Sequence, residues 1–238
     1  MYKNKTVLVT GASRGVGLMI VRHFLEYGAV VLGLSRGQSD TLHERYHHFS
    51  VDIGNPEAVV NCFRKGIGKQ FSSIDIVVNN AAVLTSQYAM IMPIKNAVDM
   101  VNVNLLGAFF VSREAAKLMR KVTRGSIINI GSMAACLEPM GDSIYAATKA
   151  AIVTLANVMA KEFSGMNVTC NTIGITAIET DMLQSHTPAA QEKIKDIIAS
   201  MPIPRMAKPD DILNVIDFFA SERSSYITAQ TIYLGGIN

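Results

Sequence analysis

Six short apolar runs rich in β-branched residues recur along the chain: TVLVT at 6–10, AVVLGL at 29–34, IDIVVNN at 74–80, GSIINIGS at 125–132, NVTCNTIGI at 167–175 and TIYL at 231–234. Between them lie longer stretches with apolar residues at helical spacing, Val16 to Tyr27, Pro56 to Gln70, Asn96 to Lys121, Ile144 to Phe163 and Asp210 to Ala220. Strands that stay apolar without alternating are buried on both faces, and parallel strands need a helix to cross from one to the next. The alternation therefore predicts an α/β chain, a doubly wound parallel sheet flanked by helices on both faces. Such a sheet takes its ligand at the carboxyl ends of its strands.

No internal repeat, linker or low-complexity tract divides the 238 residues, so residues 1–238 are expected to form a single domain. Hydrophobic residues make up 49% and charged ones 17%, a globular rather than a disordered composition. The 22 basic and 19 acidic residues are scattered, and the net charge of +3 is not gathered into a block that would follow a nucleic-acid backbone or an anionic membrane. A small-molecule partner is expected, with no nucleic acid and no membrane. Cys62, Cys136 and Cys170 are too few and too far apart for a disulfide framework or a paired-cysteine zinc site, which suits a reducing compartment. The first apolar run is too short for a signal-peptide core and no later run is read as a membrane span, so a cytoplasmic location is expected. Two stretches are less regular: Gly37 to Phe49, a short polar connection, and Thr180 to Pro209, whose prolines bracket a short helix and suggest a substrate lid.

The segment VTGASRGVG joins the first strand to the first helix with glycines at Gly11, Gly15 and Gly17. Glycines let the backbone turn tightly and approach a pyrophosphate, which the helix N-terminus stabilises, so a Rossmann-type dinucleotide site is expected here. The end of the second strand ordinarily reads the adenosine ribose, with an acid for a free 2′-hydroxyl. Here Ser35 stands at that place and Arg36 follows it, while Arg14 lies in the glycine loop. Two guanidiniums suit a 2′-phosphate, so NADP(H) is favoured over NAD(H).

Tyr145 and Lys149 sit four positions apart on a predicted helix with only small residues between them, so they share a face. A phenol has a pKa of about 10, and a neighbouring ammonium favours the phenolate, which would make Tyr145 an acid/base for a carbonyl–alcohol couple. Ser132, at the end of a predicted strand, can donate the second hydrogen bond that a developing oxyanion needs.

Taken together, TGASRGVG at 10–17, NNAA at 79–82, NLLG at 104–107, Ser132 and YAATK at 145–149 resemble the short-chain dehydrogenase/reductase family, and the likeness runs nearly end to end. Within that family the chain is most similar to the 3-oxoacyl-[acyl-carrier-protein] reductase type. The resemblance implies that Tyr145 is the catalytic acid/base, that Ser132 orients the carbonyl, that Lys149 lowers the tyrosine pKa and holds the nicotinamide ribose, and that Asn104 anchors a water-linked proton relay. It also implies that the cofactor meets Gly11, Ser13, Arg14, Gly15, Val16 and Gly17 in the loop, Ser35 and Arg36 at the ribose, and Asp52 and Ile53 at the adenine. Asn79 to Ala81 would line the cleft, with Ile178 and Thr180 against the nicotinamide amide. The catalytic region then spans 104–149, and the assembly is a homotetramer built partly on helices 96–121 and 144–163.

Two places depart from the family pattern. Ile175 and Thr176 stand where a Pro-Gly pair usually shapes the nicotinamide pocket, and LGGI at 234–237 replaces VDGG. A carrier-protein substrate would need basic residues near the site, and Lys117, Arg120, Lys121 and Arg124 offer these in part. The expected activity is NADPH-dependent reduction of a ketone, a 3-oxoacyl thioester first. The alternatives are a free small ketone, sugar or specialised metabolite, or a retired NADP-binding sensor or structural protein. Finally, HERYH at 43–47 matches the H-E-x-x-H zinc motif but lies in a polar connection without a third ligand, and no metal site is expected. Met133, Met140 and Met182 fall near the expected substrate mouth.

Overall fold

Seven parallel strands form one sheet in the order β3-β2-β1-β4-β5-β6-β7. They are β1 (Thr6–Thr10), β2 (Val30–Ser35), β3 (Tyr46–Ser50), β4 (Ile76–Asn79), β5 (Gly125–Ile130), β6 (Val168–Gly174) and β7 (Thr231–Tyr233). The structure, a computed structural model, describes residues 1–122, 124–178 and 195–237. The helices are α1 (Gly15–Glu26), α2 (Pro56–Asn61), α3 (Gly68–Gln70), α4 (Ile94–Met100), α5 (Ala108–Met119), α6 (Ala134–Leu137), α7 (Ser143–Glu162) and α8 (Pro209–Ala220). Wide π-type turns at Cys62–Ile67 and Val101–Gly107 join α2 to α3 and α4 to α5 without a break.

The two faces of the sheet carry separate cores, because neighbouring residues of a strand point to opposite sides. Leu8, Leu32, Val77 and Ile127 pack beneath Val59, Phe63 and Ile67 of the second helical stretch, Val111 and Met119 of α5, and Met159 of α7. Val7, Val9, Val31, Val78 and Ile128 pack on the other face against Ile20 and Phe24 of α1 and Ile216 and Phe219 of α8. Each such side chain contributes roughly 1.5–3 kcal/mol by leaving water, so both faces must be covered for the strands to hold. The chain reverses its direction of winding at β1, which is flanked by β2 and β4, and the crevice at their carboxyl ends is the binding site such sheets offer.

Six of the seven strands match the predicted runs. The seventh, β3, falls inside the stretch read as a polar connection, and its residues are half-buried or exposed because it is an edge strand. That strand also disposes of the H-E-x-x-H resemblance, since His47 is extended rather than helical and cannot share a helix face with His43. A second correction concerns apolar length. Ile94–Met119 and Ser143–Glu162 are long and apolar enough to cross a membrane by length and composition, with mean hydropathy of 1.2 and 1.3. Both helices lay one face on the sheet, where Val111, Met119, Ile152 and Met159 are buried. Their other faces leave Ile94, Val98, Leu106, Phe109 and Val158 exposed. The region read as a lid is described only from residue 195 onward, where 195–200 is helical and Ala207 pairs with Ile178. Thr180 and Met182 lie outside the described residues.

Candidate active site

The glycine loop leaves β1 and enters α1 with two tight places. Gly11 adopts a φ of +68°, in the left-handed region, and a Cβ on Gly17 would lie 2.1 Å from the Gly11 carbonyl oxygen and 2.6 Å from Asn80 Nδ2. No side chain fits at Gly17, whereas Gly15, at φ +54°, has open space beyond it. Arg14 precedes α1 in extended conformation and its side chain caps nothing, so the first amides of the helix have no side-chain partner there. A bare helix N-terminus behind a loop with open space over Gly15 is a cradle for an anion, and it fits a dinucleotide's pyrophosphate. Gly17→Ala is expected to open this turn, with a melting temperature lowered by several degrees and dinucleotide affinity reduced about tenfold or more in a binding titration.

Thr10 ties the loop to the neighbouring strand. Its hydroxyl accepts from the amides of Asn80 and Ala81, both at 3.0 Å, and its carbonyl accepts from Asn80 Nδ2. These bonds set Ala81 at the crevice between β1 and β4. The Asn79 side chain is turned the other way, into the interior, where it donates to Ser112 Oγ at 2.8 Å and Asn129 Oδ1 at 2.9 Å. Any contact of Asn79 with a cofactor therefore comes from its backbone. Ile53 is likewise buried, packed where a Cβ on Gly107 would sit, so its side chain belongs to the core. Asp52 is exposed and accepts from the Gly54 amide at 2.9 Å.

Ser35 closes β2 with its hydroxyl donated to the Gly37 carbonyl, which leaves Arg36 exposed beside it. Arg36 and Asp52 line a cleft of about 300 Å³ that continues past Val83 to Lys95, Asn96 and Asn102. Neither Arg14 nor Arg36 forms an ion pair among the described residues, so both guanidiniums are available to an anion.

Beyond the end of β5 and along the start of α7, three polar side chains, Ser132, Tyr145 and Lys149, come together. Lys149 is buried and donates to the Ile130 carbonyl at 2.7 Å, with its nitrogen 5.8 Å from the centre of the Tyr145 ring. Burial brings its pKa down from 10.5 to about 8. The Tyr145 phenol stands beside Ser132, whose Oγ accepts from the Ala134 amide at 3.1 Å. Burial raises the Tyr145 pKa, the Ser132 hydroxyl lowers it, and the charge of Asp142 raises it further. The net direction is upward. Among the neighbours acting on the phenol, the Ser132 hydroxyl lowers its pKa, while Lys149 beside the ring is itself desolvated and bonded to a backbone carbonyl.

Asn104 sits within the wide turn Val101–Gly107, and such turns free backbone groups and re-aim side chains. Its amide bonds both ways with Val83, accepting from the nitrogen at 2.8 Å and donating to the oxygen at 2.9 Å. It also donates to Thr148 Oγ1 at 3.2 Å, and Thr148 donates to the Tyr145 carbonyl at 2.8 Å. Thr148 was not singled out from the sequence, where it is one small residue of YAATK. Its position one before Lys149, on the side of α7 facing the wide turn, is what joins Asn104 to the helix of Tyr145. The Ile130 carbonyl was missed for a plainer reason: a backbone acceptor has no signature in a side-chain pattern.

Ser132, Tyr145 and Lys149 thus meet at the carboxyl end of the sheet, below the glycine loop, as the motif order requires. A family model described as "Enoyl-(Acyl carrier protein) reductase" matches residues 11–237. The chain belongs to the short-chain dehydrogenase/reductase family. This short-chain dehydrogenase/reductase is 32% identical to the 3-oxoacyl-[acyl-carrier-protein] reductase FabG of Vibrio cholerae over 98% of its length and 97% of the relative's. It is 35% identical to the FabG of Chlamydia pneumoniae, over 98% and 96%. Among solved structures it superposes on the aldohexose dehydrogenase of Thermoplasma acidophilum with a TM-score of 0.89 and 28% identity, covering 99% of this chain and 94% of that one. The protein is an oxidoreductase of this family, most similar to the 3-oxoacyl reductases.

The family context also locates the departures. The Ile175 carbonyl accepts from the Met133 amide at 2.9 Å, which ties the start of the post-β6 loop to the residue after Ser132. Thr176 is buried against Gly235, at φ +77°, where a Cβ would strike Met201. The basic set Lys117, Arg120, Lys121 and Arg124 is not near the site. A helix that runs back antiparallel to its strands delivers its carboxyl end to their amino ends, so the end of α5 lies at the opposite edge of the sheet. There Lys117 pairs with Glu114 at 2.6 Å and Arg124 with Glu222 at 3.1 Å.

Proposed function

We propose that this short-chain dehydrogenase/reductase is an NADPH-dependent reductase of a ketone carbonyl, with a 3-oxoacyl thioester as the first substrate class. The observation that carries the reading is the Tyr145 phenol set beside the Ser132 hydroxyl and the buried Lys149. Ser132 and Tyr145 hold the carbonyl oxygen between two hydroxyl donors, which orients it and stabilises the charge that grows there. A bound nicotinamide supplies hydride to the carbonyl carbon. Tyr145 gives its proton to the oxygen, and its raised pKa keeps that proton in place at neutral pH. Lys149, held by the Ile130 carbonyl, stabilises the phenolate left behind and meets the nicotinamide ribose. Asn104 and Thr148 fix α7 relative to the wide turn and carry the relay that returns a proton to the phenol.

The same reading assigns the glycine loop with Ser13, Arg14 and Val16 to the pyrophosphate, Ser35 and Arg36 to the adenosine ribose phosphate, Asp52 and Ile53 to the adenine, Ala81 to the cleft, and Ile178 and Thr180 to the nicotinamide amide. It treats residues 1–238 as one catalytic domain with its lid at 180–209, working in the cytoplasm. The exposed apolar side chains of Ile94, Val98, Leu106, Phe109 and Val158 support a homotetramer built on α4, α5 and α7.

The experiment is NADPH consumption with an acetoacetyl thioester, β-ketoesters, cyclic ketones and keto-sugars, run beside NADH. Turnover of the thioester supports the first substrate class; turnover of the free ketones or keto-sugars alone replaces it. That second class is favoured by the place of Lys117, Arg120, Lys121 and Arg124 away from the site and by the likeness to an aldohexose dehydrogenase. Replacing Arg14 and Arg36 together by alanine is expected to lower the NADPH-over-NADH preference in kcat/KM by about tenfold or more, each guanidinium–phosphate bond being worth about 1.5–3 kcal/mol. An unchanged preference would remove both residues from cofactor choice.

A further inference from the structure

The cleft that begins at Arg36 and Asp52 has a second wall, lined by Lys95, Asn96, Asp99, Asn102 and Val103. Their spacing of three and four along α4 and the wide turn puts them on one helical face, so their side chains look into the cleft. The two walls meet at Gly54, where a Cβ would lie 3.2 Å from Val103 Cγ2, 3.3 Å from Asp52 Oδ1 and 3.6 Å from the Asn102 carbonyl carbon. Val83 and Val103 give the cleft apolar surface for the faces of a ring, and its volume of about 300 Å³ suits a base rather than a whole dinucleotide.

Most polar groups on these walls are already engaged. Lys95 pairs with Asp99, Asn96 donates to Thr85 Oγ1 at 3.3 Å, Asn55 accepts from the Ala58 amide at 3.0 Å, and Asp52 accepts from the Gly54 amide. The half-buried Asn102 carboxamide forms no hydrogen bond among the described residues, so its acceptor and its donors remain for a ligand. A carboxamide matches an edge that presents a donor beside an acceptor, as adenine does at N6 and N7, whereas hypoxanthine presents two acceptors there. Resting on the reading of Arg36 and Asp52 as the adenosine end of a dinucleotide site, we propose that Asn102 is the residue that selects the base. Its Oδ1 accepts from the adenine 6-amino group and its Nδ2 donates to N7. Asp52, on the facing wall, can only accept, and so adds to the preference against a carbonyl at position 6.

NADPH and reduced nicotinamide hypoxanthine dinucleotide phosphate differ only in the base and share the fluorescence of the reduced nicotinamide, so one titration reads both dissociation constants without turnover. The wild type is expected to bind NADPH about tenfold or more tightly than the hypoxanthine form. Because the Asn102 side chain ties no element to another, Asn102→Leu and Asn102→Asp are expected to melt with the wild type. The Leu variant is expected to lower the ratio about fivefold or more, by weakening NADPH and sparing the hypoxanthine form. Asp still accepts from the amino group and repels a carbonyl, so its ratio should hold or rise. A loss of packing would instead move both dinucleotides together. Equal binding of the two by the wild type, a smaller fall in the Leu variant, or a like fall in both variants would overturn the assignment. Should the wild type bind neither dinucleotide, calorimetry with adenosine and inosine 5′-diphosphates reads the base alone. A preference for the adenosine form that vanishes in Asn102→Leu would uphold Asn102 while overturning the NADPH-dependent reading, and equal or absent binding would overturn Asn102.

Discussion

Tyr145→Phe is expected to lower kcat for ketone reduction by about 10²–10⁴-fold while leaving NADPH affinity within about twofold, because only the proton donor is removed. Phenylalanine fills the same space beside Ser132, so the pocket keeps its shape. The pH profile carries the same assignment. The phenol must be protonated to reduce and ionised to oxidise, and burial together with Asp142 raises its pKa. Reduction should therefore hold across neutral pH and fall only on the alkaline side, while oxidation of the product alcohol should climb with pH through the same range. Single-turnover measurements with Tyr145→Phe should abolish both limbs. A variant that keeps full turnover would remove Tyr145 from the chemistry, and a wild type that binds NADPH tightly yet reduces nothing would favour the sensor reading.

The second large effect is opposite in sign for stability and for activity. Lys149 is buried with its pKa down from 10.5 to about 8, so at neutral pH the native state holds a charge that burial disfavours. That depression corresponds to roughly 3 kcal/mol at most. Lys149→Met keeps a long unbranched side chain and removes the charge, but leaves the Ile130 carbonyl without its partner, an offset of about 1–2 kcal/mol. A net gain of about 1–2 kcal/mol is expected, seen as a melting temperature a few degrees higher, together with a loss of turnover of about 10²-fold or more. The gain should shrink as pH rises from about 8 towards 10.5. In that window the unfolded lysine keeps its proton while the folded one has released it, so the wild type becomes more stable with rising pH and the variant does not. Loss of stability together with activity would show that the Ile130 hydrogen bond outweighs the burial of charge. A buried cation that weakens the fold is expected where the site, not the core, requires it.

How far the site could be read in advance differs from residue to residue. Gly11, Gly15 and Gly17 announced a tight loop because the lack of a side chain is itself a geometric statement, and the 2.1 Å approach at Gly17 is what that statement meant. Tyr145 and Lys149 were paired by helical spacing alone. The direction of the Asn79 side chain was not legible, since a polar residue at the end of a strand can face the cleft or the interior, and only the register of β4 with β5 shows that it meets Asn129. β3 was missed because an edge strand buries too little for its sequence to differ from a loop. The long helices looked unfit for a membrane in sequence and pass for one by composition; their place on the sheet explains why one face is apolar. Lys117 to Arg124 offered a basic set in part from the sequence, whereas the turn between α5 and β5 puts them at the opposite end of the strand from Ser132.

The sequence by itself determined the layer architecture, the glycine loop and the pairing of Tyr145 with Lys149 on one helix face, since these follow from periodicity and from local spacing that survive in any context. The tertiary structure alone decided the electrostatics: which neighbours tune the phenol, that Lys149 is desolvated, and that the Asp142 charge acts on Tyr145. The physical reason is that a pKa and a hydrogen bond depend on distance and burial, and both are set by elements far apart in the chain that the sheet brings together.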